Sequence, residues 1–164
     1  MRNKIKTLEE LKSIIEKHKE QGKKIATTNG SFDLLHIGHM YILEGAKRFT
    51  DVLIVFLNSD ISIRRLKGSR RPIVPEKERA EMLSCLECVD YVVIFDEDKP
   101  LELLKEIKPD FHIKGGSFVL ENIKEERDLI ESWGGKHILL PPVEGYSTTN
   151  LINNILKGYD ENYS

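Results

Sequence analysis

Six consecutive apolar residues, Val52-Leu53-Ile54-Val55-Phe56-Leu57, end abruptly at Asn58-Ser59-Asp60. A strand with one wet face alternates apolar and polar side chains. An unbroken apolar run belongs instead to a strand covered on both faces, as in a parallel sheet between two layers of helices. The run is far too short to cross a bilayer.

The flanking segments agree with such a sheet. Thr7-Leu8-Glu9-Glu10 reads as a capping box, with Leu8, Leu11, Ile15 and His18 at helical spacing and Gly22 as the stop. Further strands are expected over 23–29, 91–95, 111–114 and 137–140. Between them the pattern predicts helices beginning near Gly38 and at Pro75, and over 100–107, 123–133 and 148–157. Alternating strands and helices imply right-handed crossovers and a doubly wound α/β domain with a five-stranded parallel sheet. The expected division is an N-terminal helical extension, 1–22, followed by one domain, 23–164. Ligands of such sheets bind at the carboxyl ends of the strands, near the switch in strand order. Segments 29–39, 58–71 and 114–117 fall there.

Composition narrows the function classes. With 25 Lys plus Arg against 27 Asp plus Glu, no strong field favours nucleic acid or a membrane surface. Met1 to Lys6 lacks the apolar core of a secretory signal, so a cytoplasmic location is expected. Cys85 and Cys88 have the spacing of half a zinc site or a redox pair. With no second cysteine pair, they are read as two small apolar residues on one helix.

The chemistry-bearing residues begin at Thr28-Asn29-Gly30-Ser31-Phe32-Asp33 and continue to His36-Ile37-Gly38-His39. A helix starting near Gly38 places both imidazoles at its N-terminus, where unpaired N–H groups attract phosphate. Gly30 and Gly38 allow close backbone approach. The pair also fits ordinary surface histidines, or two metal ligands with Asp33 as a third. The basic run 64–71 reads either as a solvated loop or as a lid over phosphates, with Gly68 as its hinge. Ser147 suits an N-cap, and Lys114 a strand-terminal position before Gly115-Gly116.

His36-Ile37-Gly38-His39 resembles the His-x-Gly-His signature of the nucleotidyltransferase superfamily, and Ser147-Thr148-Thr149 resembles its second signature. The resemblance runs from about Lys24 to Leu156 and implies a Rossmann-like fold. Asn58-Ser59-Asp60, Arg65-Leu66-Lys67-Gly68, Arg71-Pro72, Lys114-Gly115-Gly116 and Gly145-Tyr146-Ser147 narrow it to the bacterial heptose-1-phosphate adenylyltransferases. These transfer AMP from ATP to D-glycero-β-D-manno-heptose 1-phosphate, on the way to ADP-heptose. In many bacteria the unit is fused to a sugar kinase. No kinase precedes it here, so the chain resembles a stand-alone form, with heptose 7-phosphate kinase as a separate pathway partner.

The resemblance implies His36, His39 and Lys67 as catalytic residues. It implies nucleotide contacts from Thr28, Asn29, Gly30, Ser31, Phe32, Asp33, Gly38, Asn58, Asp60, Arg71, Ser147 and Thr148. Lys114, Gly115 and Gly116 would hold the acceptor. Mg²⁺ is expected on the phosphates rather than in a dedicated protein cage, and a homodimer is expected. Ser31 stands where many relatives have Cys. Ser117 stands where many have Asp, which removes a carboxylate beside the sugar pocket. Pro141-Pro142-Val143-Glu144 lacks the Arg of glycerol-phosphate cytidylyltransferases. Alternatives are a glycerol-phosphate or ethanolamine-phosphate cytidylyltransferase, an FMN adenylyltransferase, or a non-catalytic nucleotide- or metal-binding module.

Overall fold

A computed structural model of the chain describes residues 2–115 and 123–160. These form a five-stranded, all-parallel sheet. The strands are β1 (Ile25–Gly30), β2 (Val52–Asn58), β3 (Tyr91–Phe95), β4 (Phe111–Gly115) and β5 (Lys136–Leu140). The spatial order β3-β2-β1-β4-β5 puts the switch in direction between β1 and β4. The loops after those two strands therefore flank the crevice where ligands of doubly wound sheets sit.

The apolar run becomes β2, and every residue of it is buried. Val52, Ile54 and Phe56 join one core cluster, packed against α1 (Leu8–Glu20), α5 (Leu101–Ile107) and α6 (Lys124–Glu131). Leu53, Val55 and Leu57 join the other, beneath α2 (Ile37–Lys47) and α4 (Glu76–Ser84). Successive side chains alternate faces, and here both faces are roofed by helices.

The Thr7–Glu10 capping box forms in both directions, with Glu10 N donating to Thr7 Oγ1 at 3.3 Å and Thr7 N to Glu10 Oε2 at 2.9 Å. The N-terminal segment packs closely on the rest: Leu11 and Ile15 of α1 are buried in the first cluster, and Lys6 N donates to Val92 O at 2.9 Å.

Several local expectations change. The segment read as a loop after β2 is partly helical, α3 (Asp60–Lys67). Ser59 caps it by accepting from Ser62 N at 3.2 Å, and its basic residues gather in the last turn, where the helix dipole favours them. Pro75 caps α4 instead of opening it, so Cys85 follows the helix as its C-cap and Cys88 lies beyond. The cysteines do not share a helix, and Cys85 is exposed. The helix expected over 123–133 is α6, shorter at both ends, and the last helix, α7 (Thr148–Asp160), runs three residues past its expected end. No described helix is long and apolar enough to cross a membrane.

Candidate active site

The turn from β1 into α2 brings both histidines to the crevice. His36 is extended (φ −144°, ψ 169°) and caps α2, placing its ring over that of His39 with centroids 3.9 Å apart and 26° between planes. Phe32 also packs against His39, with ring centroids 5.1 Å apart and planes tilted by 47°. The His36 backbone N–H donates to His39 Nδ1 at 3.4 Å. A ring nitrogen that accepts carries no proton, so the proton of neutral His39 sits on Nε2 as a donor. Burial, then the neighbouring His36 and Lys67, lower the His39 pKa to about 4, and burial lowers that of His36.

Two adjoining cavities share this corner. One, of about 310 Å³, is lined by residues that include Thr28 to Phe32, His39, Asn58, Lys67, Lys114 and Gly115. The other, of about 430 Å³, includes His36, Gly38, Arg71, Ser147, Thr148 and Thr149 in its wall. Ser31, His39, Ile42, Lys67 and Gly115 line both. Lys67 reaches in from the end of α3 and donates to Ser31 Oγ at 2.8 Å. Desolvation, followed by repulsion from Arg71, lowers its pKa. Ser147 Oγ caps α7 by accepting from Asn150 N at 3.0 Å, and the cavity wall reaches the first turn of that helix. The arrangement offers donors and positive charge to an elongated anion, with a helix N-terminus at each end.

Several expected ligand contacts are occupied by the protein. Asp33 is fully buried and accepts from Arg71 Nε (2.6 Å), Ile73 N (2.8 Å) and Val74 N (2.9 Å). Its carboxylate fastens the 71–74 segment, and Asp33 is absent from the walls of both cavities. Asp60 pairs with Arg79 at 2.8 Å, and Asn58 Nδ2 donates to Ser62 Oγ at 3.0 Å. Lys114 lines the smaller cavity, yet its ammonium lies 2.8 Å from Glu126 Oε2. Gly115 is required by packing, since a Cβ there would lie 2.1 Å from Ile42 Cγ1. Gly116 and Ser117 lie outside the described residues.

Arg79 was not singled out by the sequence. It is fully buried and donates to Val74 O (2.8 Å), Ser31 O (2.6 Å), Asn58 O (2.9 Å) and Asp60 Oδ1 (2.8 Å). Its one signal is a position directly before the buried Ala80 and one turn before the buried Leu83.

The cytidylyltransferase-like family matches residues 27–154. The bifunctional protein HldE of Geobacter metallireducens is 52% identical over 158 residues, covering 96% of this chain, and that of Geobacter sulfurreducens is 49% identical over the same length. The chain spans about a third of these relatives, 32% of each. A lipopolysaccharide core biosynthesis protein from Thermoplasma volcanium GSS1 superposes with a TM-score of 0.65 at 28% identity, covering 75% of this chain and all of that one. Pantoate-beta-alanine ligase from Francisella tularensis, at 16% identity and a TM-score of 0.61 over 93% of this chain and 78% of its own, shares the fold.

Proposed function

The chain belongs to the cytidylyltransferase-like family, and from that premise we propose that it transfers AMP from ATP to D-glycero-β-D-manno-heptose 1-phosphate, giving ADP-heptose and pyrophosphate. The observation that carries the transfer reaction is the convergence of His36, His39, Lys67 and the N-terminus of α7 on two adjoining cavities. The choice of ATP and a heptose phosphate is supported by the motif resemblance along 24–156, and by the likeness to a protein of lipopolysaccharide core biosynthesis. A heptose 7-phosphate kinase acts earlier in the same proposed pathway.

The acceptor is a phosphate monoester with a second pKa of about 6, so at neutral pH it is mostly a dianion. Such a nucleophile needs no general base. The barrier is the meeting of two anions, and charge then grows on the bridging oxygen as pyrophosphate leaves. Prearranged donors address both problems. His39, with Nε2–H fixed by the bond to Nδ1, donates to the triphosphate, and His36 stacked on it donates alongside. Lys67 neutralises the α-phosphate as the acceptor approaches. The first-turn N–H groups of α7 take the leaving phosphates, and Lys114, beside Gly115, receives the acceptor with the N–H groups it does not spend on Glu126.

The residues present fit a Mg²⁺ ion that arrives on the triphosphate. Near the cavities, Asp33, Asp60 and Asp98 are committed to Arg71, Arg79 and Arg65 respectively. That leaves no set of uncommitted carboxylates there, among the described residues, to build a protein cage. An ion carried by phosphate oxygens and its own waters needs none.

Pyrophosphate release in the presence of Mg²⁺ tests the reading, with ATP, CTP and GTP offered in turn against heptose 1-phosphate, glycerol 3-phosphate and FMN. Release with ATP plus heptose 1-phosphate alone is expected. Release with another pair moves the substrate while keeping the transfer chemistry, and release from none removes the proposed reaction.

A further inference from the structure

Behind the cavities, three parallel strands place Thr27, His112 and His137 side by side on one face of the sheet, in register across β1, β4 and β5. Glu126 of α6 lies over this row. His112 and Glu126 are buried, with relative exposures of 0% and 2%. One ligand-type atom from each of His112, Glu126 and His137 lies within 4.8 Å of the other two.

The polar inventory of the cluster does not close. His112 Nδ1 lies 2.8 Å from Thr27 Oγ1, which leaves Nε2 as the nitrogen facing Glu126. That nitrogen stands 3.7 Å from Glu126 Oε2, too far for a hydrogen bond. The buried nitrogens His112 Nε2 and His137 Nε2 have no hydrogen-bond partner among the described residues. Lys114 hydrogen-bonds the other carboxylate oxygen, Oε1, at 3.1 Å, although its ammonium also lies 2.8 Å from Oε2. Each neutral imidazole keeps one N–H and one acceptor nitrogen, so the buried nitrogens of His112 and His137 left without a partner are unfavourable in either tautomer.

We infer that His112, Glu126 and His137 form a second site, distinct from the paired histidines of the active site, that binds one divalent transition-metal ion of the zinc class. Two imidazoles and one carboxylate are a set that Zn²⁺ accepts, with water completing the tetrahedron. Ligand atoms around tetrahedral zinc stand roughly 3.4 Å apart, given metal–ligand bonds of about 2.1 Å. The trio must therefore draw in by about an ångström. A side-chain turn of His137, the least buried of the three, serves that movement. Glu126 binds the ion through Oε2 and keeps Lys114 on Oε1. Thr27, bonded to His112 on the side away from the ion, holds the ring's orientation, as outer partners of metal-bound histidines do. The ion fastens β4, β5 and α6 together.

Metal retention and thermal stability test this without reference to turnover. The stripped full chain, incubated with Zn²⁺ or Co²⁺ and desalted, is expected to keep about one ion per chain, with Co²⁺ showing the intense visible bands of four-coordination. At about a hundredfold excess over Kd, Zn²⁺ should raise Tm by roughly 5–10 °C. His137→Gln should abolish retention. Thr27→Val should weaken Zn²⁺ affinity about 10–100-fold. His39→Ala should retain the ion, which separates this site from the histidines of the active site. Failure of the wild-type chain to retain an ion overturns the inference. So does loss in His39→Ala together with retention in His137→Gln.

Discussion

Lys67 Nζ donates to Ser31 Oγ across 2.8 Å, joining the last residue of α3 to the turn that leaves β1. The ammonium is thereby held against the corner common to both cavities, where the anion is expected. Replacing Lys67 by Met keeps most of the stem and removes the charge. Turnover should fall about 10²–10³-fold, the usual cost of losing one donor to developing charge, while Tm stays within a degree or two because the one hydrogen bond lost, to Ser31, is exposed. Steady-state kinetics beside a thermal melt checks this, and unchanged turnover removes Lys67 from the mechanism.

Asp33 should behave as a structural residue. Asp33→Ala leaves the guanidinium of Arg71 and the N–H groups of Ile73 and Val74 without their partner. Breaking a buried pair in this way costs about 3–5 kcal/mol. Urea unfolding should show a loss of that size. A variant of native stability with only a raised KM for ATP would return Asp33 to the nucleotide.

Gly115→Ala should lower stability through overpacking, by about 1–3 kcal/mol, because the new methyl would occupy the place of Ile42 Cγ1. Ile42 lines both cavities, so activity should fall as well. The double variant Gly115→Ala/Ile42→Ala makes room and should recover part of the activity lost by the single change. No recovery would mean that the glycine serves the ligand directly.

The pH dependence of stability follows from two histidines held near pKa 4, His39 and His137. Burial is the leading cause in both, so the unfolded chain binds protons that the folded chain refuses between about pH 6.5 and 4. Stability is full above that window and is lost as pH falls through it. Glu126, held at about 2 by His112 and Lys114 against the opposing effect of burial, adds a separate loss only below about pH 4.5. Urea midpoints should fall from pH 7 to 4.5, and a His39→Gln/His137→Gln variant should show a flatter profile over that range. An equally steep profile in the double variant would exclude these rings as the source.

The sheet was legible because β2 is apolar throughout and because each helix facing it carries an apolar stripe. Both helix starts that frame the cavities, at His36 and Ser147, were legible from local signals. What the sequence concealed depended on long-range partners. Asp33 looks like a ligand until Arg71, 38 positions away, is seen to occupy it. Helix α3 is eight residues long and rich in charge, so its buried Ser62 and Ile63 made too brief a pattern to outweigh a loop reading. Arg79 reads as one more surface cation, since only the approach of Ser31, Asn58 and Val74 makes its burial tolerable. The row Thr27, His112, His137 was invisible for the same reason, as strand register is set by the whole sheet.

Arg79 has an electrical consequence for a guest it never touches. A free carbonyl oxygen at the rim where an anion must settle would present the wrong sign. By accepting from Arg79, Ser31 O and Asn58 O turn their lone pairs inward, toward a guanidinium whose other charged partner is the Asp60 carboxylate. Two carbonyls at the ends of β1 and β2 are thus turned away from an arriving phosphate and spent on a buried partner instead.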